Sequence, residues 1–170
     1  GRPEPVMLFG TALAFVNLLE ESGAGPLPAG SLLMETGGFK GSTRAIDKAE
    51  LYDRLANHFQ VRVQEIWSEY GMTELTSQFY SRGASGAHFG PPWLRFLVID
   101  PQTNRPAPAG EIGVLRIFDL ANLWSVIGVQ TQDLALARAD GSFLLLGRDP
   151  AALPRGCSRA ADELLRVART

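Results

Sequence analysis

Cysteine is almost missing from this sequence: Cys157 is the single one among 170 residues. That excludes an internal disulfide framework and any zinc site built on several cysteines. Histidine is equally scarce, and His58 and His88 stand apart with no metal-ligand spacing. Lysine occurs only as Lys40 and Lys48, so arginine carries the remaining positive charge. Neither sign of charge dominates. The net charge of -2 gives no electrostatic footprint for nucleic acid or an anionic membrane. A long hydrophobic run is also lacking. The longest, Val6 to Leu19, is interrupted by Gly10, Thr11 and Asn17, and it is shorter than the roughly 20 apolar residues that cross a bilayer. The opening Gly1-Arg2-Pro3-Glu4-Pro5 has no initiator methionine and no basic-then-apolar signal pattern. A chain that begins this way, and enters a buried-looking strand at once, reads as a piece of a longer protein, with a cytoplasmic location expected.

What is present suits an ordinary globular unit: 45% hydrophobic and 20% charged residues. Val6-Met7-Leu8-Phe9, closed by Gly10, reads as a strand buried on both faces. Ala12 through Glu21 follows as a helix, with Phe15, Leu18 and Leu19 at helical spacing. The Gly- and Pro-rich segment from Gly23 to Gly30 is a loop. Ser31 to Glu35 is a second buried strand, running into Thr36-Gly37-Gly38-Phe39-Lys40-Gly41. Ligands of open α/β sheets sit beyond the carboxyl ends of strands, so this glycine cluster is either a close approach to a ligand or a loop that needs positive φ. Asp47-Lys48-Ala49-Glu50 is a capping box that opens a helix through Phe59. Val61 to Ser68 returns as a strand.

The expected fold is therefore α/β: a parallel-sheet α/β layer in residues 1–90, then an antiparallel sheet or distorted β-barrel in 91–149. The strands of the second part are Leu94 to Asp100, Ile112 to Phe118, and a hairpin of Gln130 to Ala137 with Ser142 to Leu146 around Asp140-Gly141. Residues 150–170 read as a linker and a short closing helix, Ser158 to Val167.

The third strand delivers Glu69-Tyr70-Gly71-Met72-Thr73-Glu74. A ring, a glycine, a hydroxyl and a carboxylate stand close together there. Tyr70 offers a flat face to a base, and Gly71 lets backbone come close without a Cβ. Thr73 can donate to a phosphate oxygen, and Glu74 can hold the hard Mg²⁺ that accompanies ATP. The plainer reading is a strand, a glycine turn and a short helix capped by Thr73.

Tyr-Gly-Met-Thr-Glu resembles the most recognisable motif of the adenylate-forming enzymes. Further along, Thr131-Gln132-Asp133 stands where these enzymes usually present Thr-Gly-Asp, and Gly147-Arg148 follows the Asp140-Gly141 turn as their Gly-Arg does. The phrasing of Glu69 to Gln78, Pro91 to Arg95, Asp119 to Ser125, Leu146 to Arg148 and Arg155 to Ser158 looks like the acyl-protein synthetases, the LuxE-like branch. The resemblance covers nearly all of the chain but only the carboxyl-terminal half of the family's usual domain. It implies that Asp133 and Arg148 hold the ribose, that Gly37, Gly38, Tyr70, Gly71 and Met72 border the nucleotide, and that Thr73 and Glu74 serve phosphate and Mg²⁺. ATP and Mg are the implied cofactors.

Family members activate a fatty acid to an acyl-adenylate, pass the acyl group to a cysteine near the carboxyl terminus, and hand it to a partner reductase. Cys157 stands in the matching context. Arg155, Arg159 and a predicted helix start favour its thiolate, while a small buried hydrophobe is the competing reading. Two parts of the pattern are absent: an upstream phosphate loop with lysine, and a large carboxyl-terminal domain with its late lysine. Lys40 reads as a phosphate contact or as a surface lysine. The 170-residue piece is accordingly expected not to turn over by itself. Gln132 in place of glycine keeps open a non-catalytic binding module, and coenzyme A remains an alternative acceptor.

Overall fold

A computed structural model describes residues 3–21, 23, 25–37 and 46–149. They fall into two compact units, one running through Ile66 and the other starting at Trp67. The composition change after Gly90 lies inside the second unit.

The first unit alternates strand and helix. β1 (Met7–Thr11) leads directly into α1 (Ala12–Glu20), whose start is capped by the Thr11 hydroxyl accepting from Ala14 N–H. β2 (Leu32–Thr36) pairs parallel with β1, Met7 opposite Leu32 through Thr11 opposite Thr36. α2 (Lys48–Phe59) is capped by the Asp47 carboxylate, which accepts from Ala49 and Glu50 N–H. Glu50 itself pairs with Arg54 one turn further on. The α2 face of Leu51, Tyr52, Leu55 and Phe59 is fully buried and meets Phe15 and Val16 of α1 and Leu33 of β2. Burying each such side chain contributes about 1.5–3 kcal/mol.

Two expectations for this unit are corrected. β1 is not buried on both faces: Leu8 packs on the core, but Met7 and Phe9 are more than half exposed. Successive strand residues point to opposite faces, and a continuous apolar run does not reveal that only one face has cover. The segment after α2 is not strand throughout either. Gln60 ends the helix in the left-handed region, and Val63–Glu65 forms a 3₁₀ turn. The Glu65 carboxylate accepts from both the backbone and the guanidinium of Arg62, which closes that turn. Only from Ile66 does the chain extend, as β3 (Ile66–Tyr70).

The second unit is antiparallel. β3 pairs with β4 (Phe79–Arg82), Tyr70 opposite Phe79. β5 (Ala87–His88), β6 (Leu94–Ile99), β7 (Ile112–Asp119), β8 (Gly128–Ala137) and β9 (Phe143–Arg148) form a sheet in the order β5-β9-β8-β7-β6. β4 and β5 have no counterpart in the sequence reading, being only four and two residues long. The register shifts between Val114 and Arg116 and between Leu134 and Ala135. Such bulges add twist, which suits a sheet that curls into a partial barrel. Gly113 is required where β7 passes β6, because a Cβ there would stand 2.5 Å from the Ile99 carbonyl oxygen. The hairpin turn is as read: Gly141 has φ +83, and Asp140 accepts from the Ser142 N–H and hydroxyl. Phe79, Leu115, Ile117, Ala135 and Phe143 are the fully buried centre of this core. Among the described residues no helix is long and apolar enough to cross a membrane.

Candidate active site

The second unit brings Tyr70 and Asp133, 63 positions apart, into a 2.7 Å hydrogen bond in which the phenol donates to the carboxylate. Both are buried, at 8% and 9% exposure. Asp133 sits in β8 directly opposite Arg148 of β9. Its backbone N–H donates to the Thr131 hydroxyl at 3.1 Å, and that hydroxyl donates on to the Leu115 carbonyl. The Arg148 guanidinium reaches the Gln132 side-chain oxygen at 2.5 Å. Gln132, the residue that departs from the Thr-Gly-Asp pattern and immediately precedes Asp133, thus engages the arginine opposite that carboxylate.

The Tyr70 ring packs within the core of this unit. It is in T-shaped contact with His88 and Phe143 and tilted to Phe79, with centroids 6.1–6.4 Å away. What it presents toward Asp133 is the hydroxyl. Burial, then the negative charge of Asp133 and the hydrogen bond to it, push that hydroxyl's pKa far above the ordinary tyrosine value. It therefore remains a protonated donor.

The motif that follows forms a turn rather than a short helix, with Leu75 N–H donating to the Met72 carbonyl. Thr73 and Glu74 are exposed, and the Thr73 hydroxyl donates to the Glu74 carboxylate at 3.2 Å. Met72 packs in part against the core. A Cβ on Gly71 would collide with the Glu69 carboxylate and stand 2.9 Å from Gln78 Cγ. A larger residue here would have to displace the Glu69 and Gln78 side chains.

Asp119 and Asn122, which the sequence reading did not single out individually, hold this loop. The Asp119 carboxylate is fully buried and accepts from Thr76 N–H (2.9 Å), Ser77 N–H (2.7 Å), the Ser77 hydroxyl and Ala121 N–H. The Asn122 amide donates to the Glu74 and Val126 carbonyls. Trp93 donates its indole N–H to the Ser77 hydroxyl. The stretch Asp119 to Ser125 carried part of the family resemblance, but nothing local marks Asp119 as the acceptor for a loop more than forty positions earlier.

Gly37 ends β2 in the first unit with φ +70 and open space where a Cβ would lie. Nearby, the buried Glu35 carboxylate accepts from the Tyr52 hydroxyl and pairs with Lys48. Gly38, Lys40 and Cys157, with its neighbours Arg155 and Arg159, lie outside the described residues, as does the expected closing helix. Among the described residues no three His, Cys, Asp or Glu side chains gather into a metal cage. An exposed lone carboxylate such as Glu74 does suit Mg²⁺, which is commonly held by one or two carboxylates together with substrate phosphates.

Solved structures share this fold. ATP-bound MatB from Rhodopseudomonas palustris superposes with a TM-score of 0.62 at 19% identity, over 84% of this chain and 31% of that one. The anthranilate CoA ligase AuaEII in complex with anthranoyl-AMP gives a TM-score of 0.63 at 18% identity, over 91% and 32%. This chain has the adenylate-forming fold. It matches the carboxyl-terminal part of an adenylate-forming enzyme domain. In sequence, it is 27% identical over 104 residues to the long-chain-fatty-acid–luciferin-component ligase of Aliivibrio fischeri, which covers 60% of this chain and 27% of that protein. The relative is a LuxE-type ligase, in line with the resemblance read from the motifs. No family model matches. The chain spans less than a third of the length of the proteins it matches.

Proposed function

We propose that the full-length protein carrying this chain activates a carboxylic acid, a fatty acid in the first instance, with ATP, and that Asp133 and Arg148 hold the ribose. The observation that carries this is Asp133, buried, fixed by the Tyr70 hydroxyl and facing Arg148 across the β8–β9 pair, on a fold whose relatives include ATP-bound and acyl-AMP-bound ligases. A buried carboxylate in β8 with an arginine opposite it in β9 offers acceptors for ribose hydroxyls and a cation on the neighbouring strand.

In the first step the substrate carboxylate attacks the α-phosphorus of ATP, a phosphorus–oxygen bond breaks, and pyrophosphate leaves with its electron pair. Thr73 donates to a phosphoryl oxygen, and Gly71 and Met72 border the nucleotide. Glu74 would hold Mg²⁺, which supplies neutralisation of phosphate charge. In the second step the Cys157 thiolate attacks the acyl carbonyl, AMP leaves, and a thioester forms for a partner reductase. The protein would act in the cytoplasm.

Fatty-acid-dependent ATP–pyrophosphate exchange in the full-length protein tests the first step. Glu74→Ala is expected to abolish exchange while changing stability by no more than about 0.5 kcal/mol, since the side chain is exposed. Exchange at the wild-type rate in that variant would overturn the role of Glu74. For the second step, Cys157→Ser is expected to form acyl-adenylate yet carry no hydroxylamine-labile acyl group. A second reading, coenzyme A as acceptor, is favoured by the anthranilate CoA ligase neighbour. Radiolabelled acid ending on coenzyme A rather than on protein would establish it.

A further inference from the structure

We propose that Gln132 is a positioning residue for Arg148: its side chain tethers the guanidinium that meets the ribose. The proposal rests on the reading of Arg148 as a ribose ligand.

Arg148 is the last residue of β9, and the strand is irregular just before it. Gly147 has φ +106, and the β8–β9 pairing shifts register between Leu134, opposite Gly147, and Ala135, opposite Leu145. A bulge bends its strand and disrupts the local ladder. Arginine also has a long side chain with many rotamers, so ordering its head costs conformational entropy. A half-buried arginine at such a strand end takes a defined direction only if something holds its head.

Gln132 supplies two contacts. Its side-chain oxygen accepts from Arg148 Nη2, and its backbone carbonyl accepts from Asp149 N–H at 2.9 Å. One residue thus holds both the guanidinium and the backbone immediately after it. The acceptor is a neutral amide, so it orients the guanidinium without cancelling its charge. Thr131 anchors this stretch of β8 in turn. Its buried hydroxyl accepts from Asp133 N–H and donates to the Leu115 carbonyl of β7. Gln132 and Asp133 are consecutive, so the carboxylate and the tether of the arginine ride on the same anchored backbone.

The glycine that adenylate-forming enzymes usually carry at this place has no side chain and makes no such contact. The departure from the Thr-Gly-Asp pattern is therefore an added contact in this site and not the decay of one.

Pyrophosphate exchange in the full-length protein is measured with ATP and with 2′,3′-dideoxy-ATP, which lacks both ribose hydroxyls. The readout is the ratio of kcat/KM for the two nucleotides. Gln132→Met keeps the length of the side chain and removes the acceptor. It is expected to lower the ratio about fivefold, the equivalent of one hydrogen bond, through KM for ATP and with the dideoxy nucleotide unaffected. Gln132→Glu keeps an acceptor at the same reach and is expected to retain the ratio. Gln132 is exposed, so both variants are expected to fold as the wild type does. Arg148→Met is expected to lower the ratio at least as far as Gln132→Met.

Equal losses with both nucleotides in Gln132→Met would mean a structural role alone and overturn the proposal. A loss in Gln132→Glu as deep as in Gln132→Met would overturn it as well, since the acceptor is still there. A wild-type ratio in Gln132→Met with loss in Arg148→Met would overturn the tether and leave the ribose reading intact. A wild-type ratio in both methionine variants would remove the ribose reading of Arg148 and the proposal together.

Discussion

The Asn122 side-chain amide donates a 2.8 Å hydrogen bond to the backbone carbonyl of Glu74, 48 positions earlier in the chain. The same amide nitrogen bonds Val126, so Asn122 ties the loop after β7 to the turn that presents Thr73 and Glu74. The Thr73 hydroxyl meets the Glu74 carboxylate itself, and Asn122 anchors the backbone that carries it.

Asn122→Ala is therefore expected to loosen Glu74 without touching it. In the full-length protein the Mg²⁺ concentration giving half-maximal pyrophosphate exchange should rise about 5- to 10-fold, the equivalent of roughly one hydrogen bond. The comparison is a Mg²⁺ titration at saturating ATP. An unchanged midpoint with lowered maximal rate would show that Asn122 serves the fold and not the carboxylate.

Asp119 has a larger structural share. Its carboxylate takes three backbone N–H groups and a hydroxyl in a fully buried site. Asp119→Ala leaves those donors facing an apolar methyl, and each buried donor without a partner costs about 1–3 kcal/mol. Urea unfolding should register a loss of about 3 kcal/mol. A loss below about 1 kcal/mol would mean that the loop finds other acceptors at little cost.

Tyr70 sets an alkaline limit. In the unfolded chain its hydroxyl loses its proton near pH 10. In the folded protein burial and the Asp133 charge hold the proton to higher pH. Above about pH 10 the folded state binds more protons than the unfolded one, so stability falls as pH rises, by up to about 1.4 kcal/mol per unit. Below about pH 10 this contribution is fully present. Tyr70→Phe should lack that share of the slope, so the stability difference between wild type and variant should shrink from about pH 9 to about pH 11. A difference that stays constant over this range would contradict the buried, protonated tyrosine.

Much of the fold was legible in local pattern. The Asp47 cap, the Leu51-Leu55-Phe59 face, the Asp140-Gly141 turn and the strands that became β6, β7, β8 and β9 depend on neighbours within a turn or a hairpin. The misreadings have physical causes. Arg62 and Glu65 closed a 3₁₀ turn inside an apolar-looking run. β5 is two residues long and exists through its pairing with β9. The open face of β1 depends on what packs above Met7 and Phe9, which hydrophobicity alone does not state.

The chemistry of the candidate site is written in the residues themselves. A hydroxyl, a carboxylate and a glycine after a strand, with an aspartate and an arginine later, are groups that suit a nucleotide whatever their arrangement. Which groups meet was decided by the tertiary structure. Tyr70 reaches Asp133, Asp119 reaches Thr76 and Ser77, and Arg148 faces Asp133 because the registers of β3, β8 and β9 bring them there. A strand's sequence repeats every two residues and marks which side is buried, but it does not name its partner strand. That choice comes from closing a shared core around Phe79, Leu115 and Phe143.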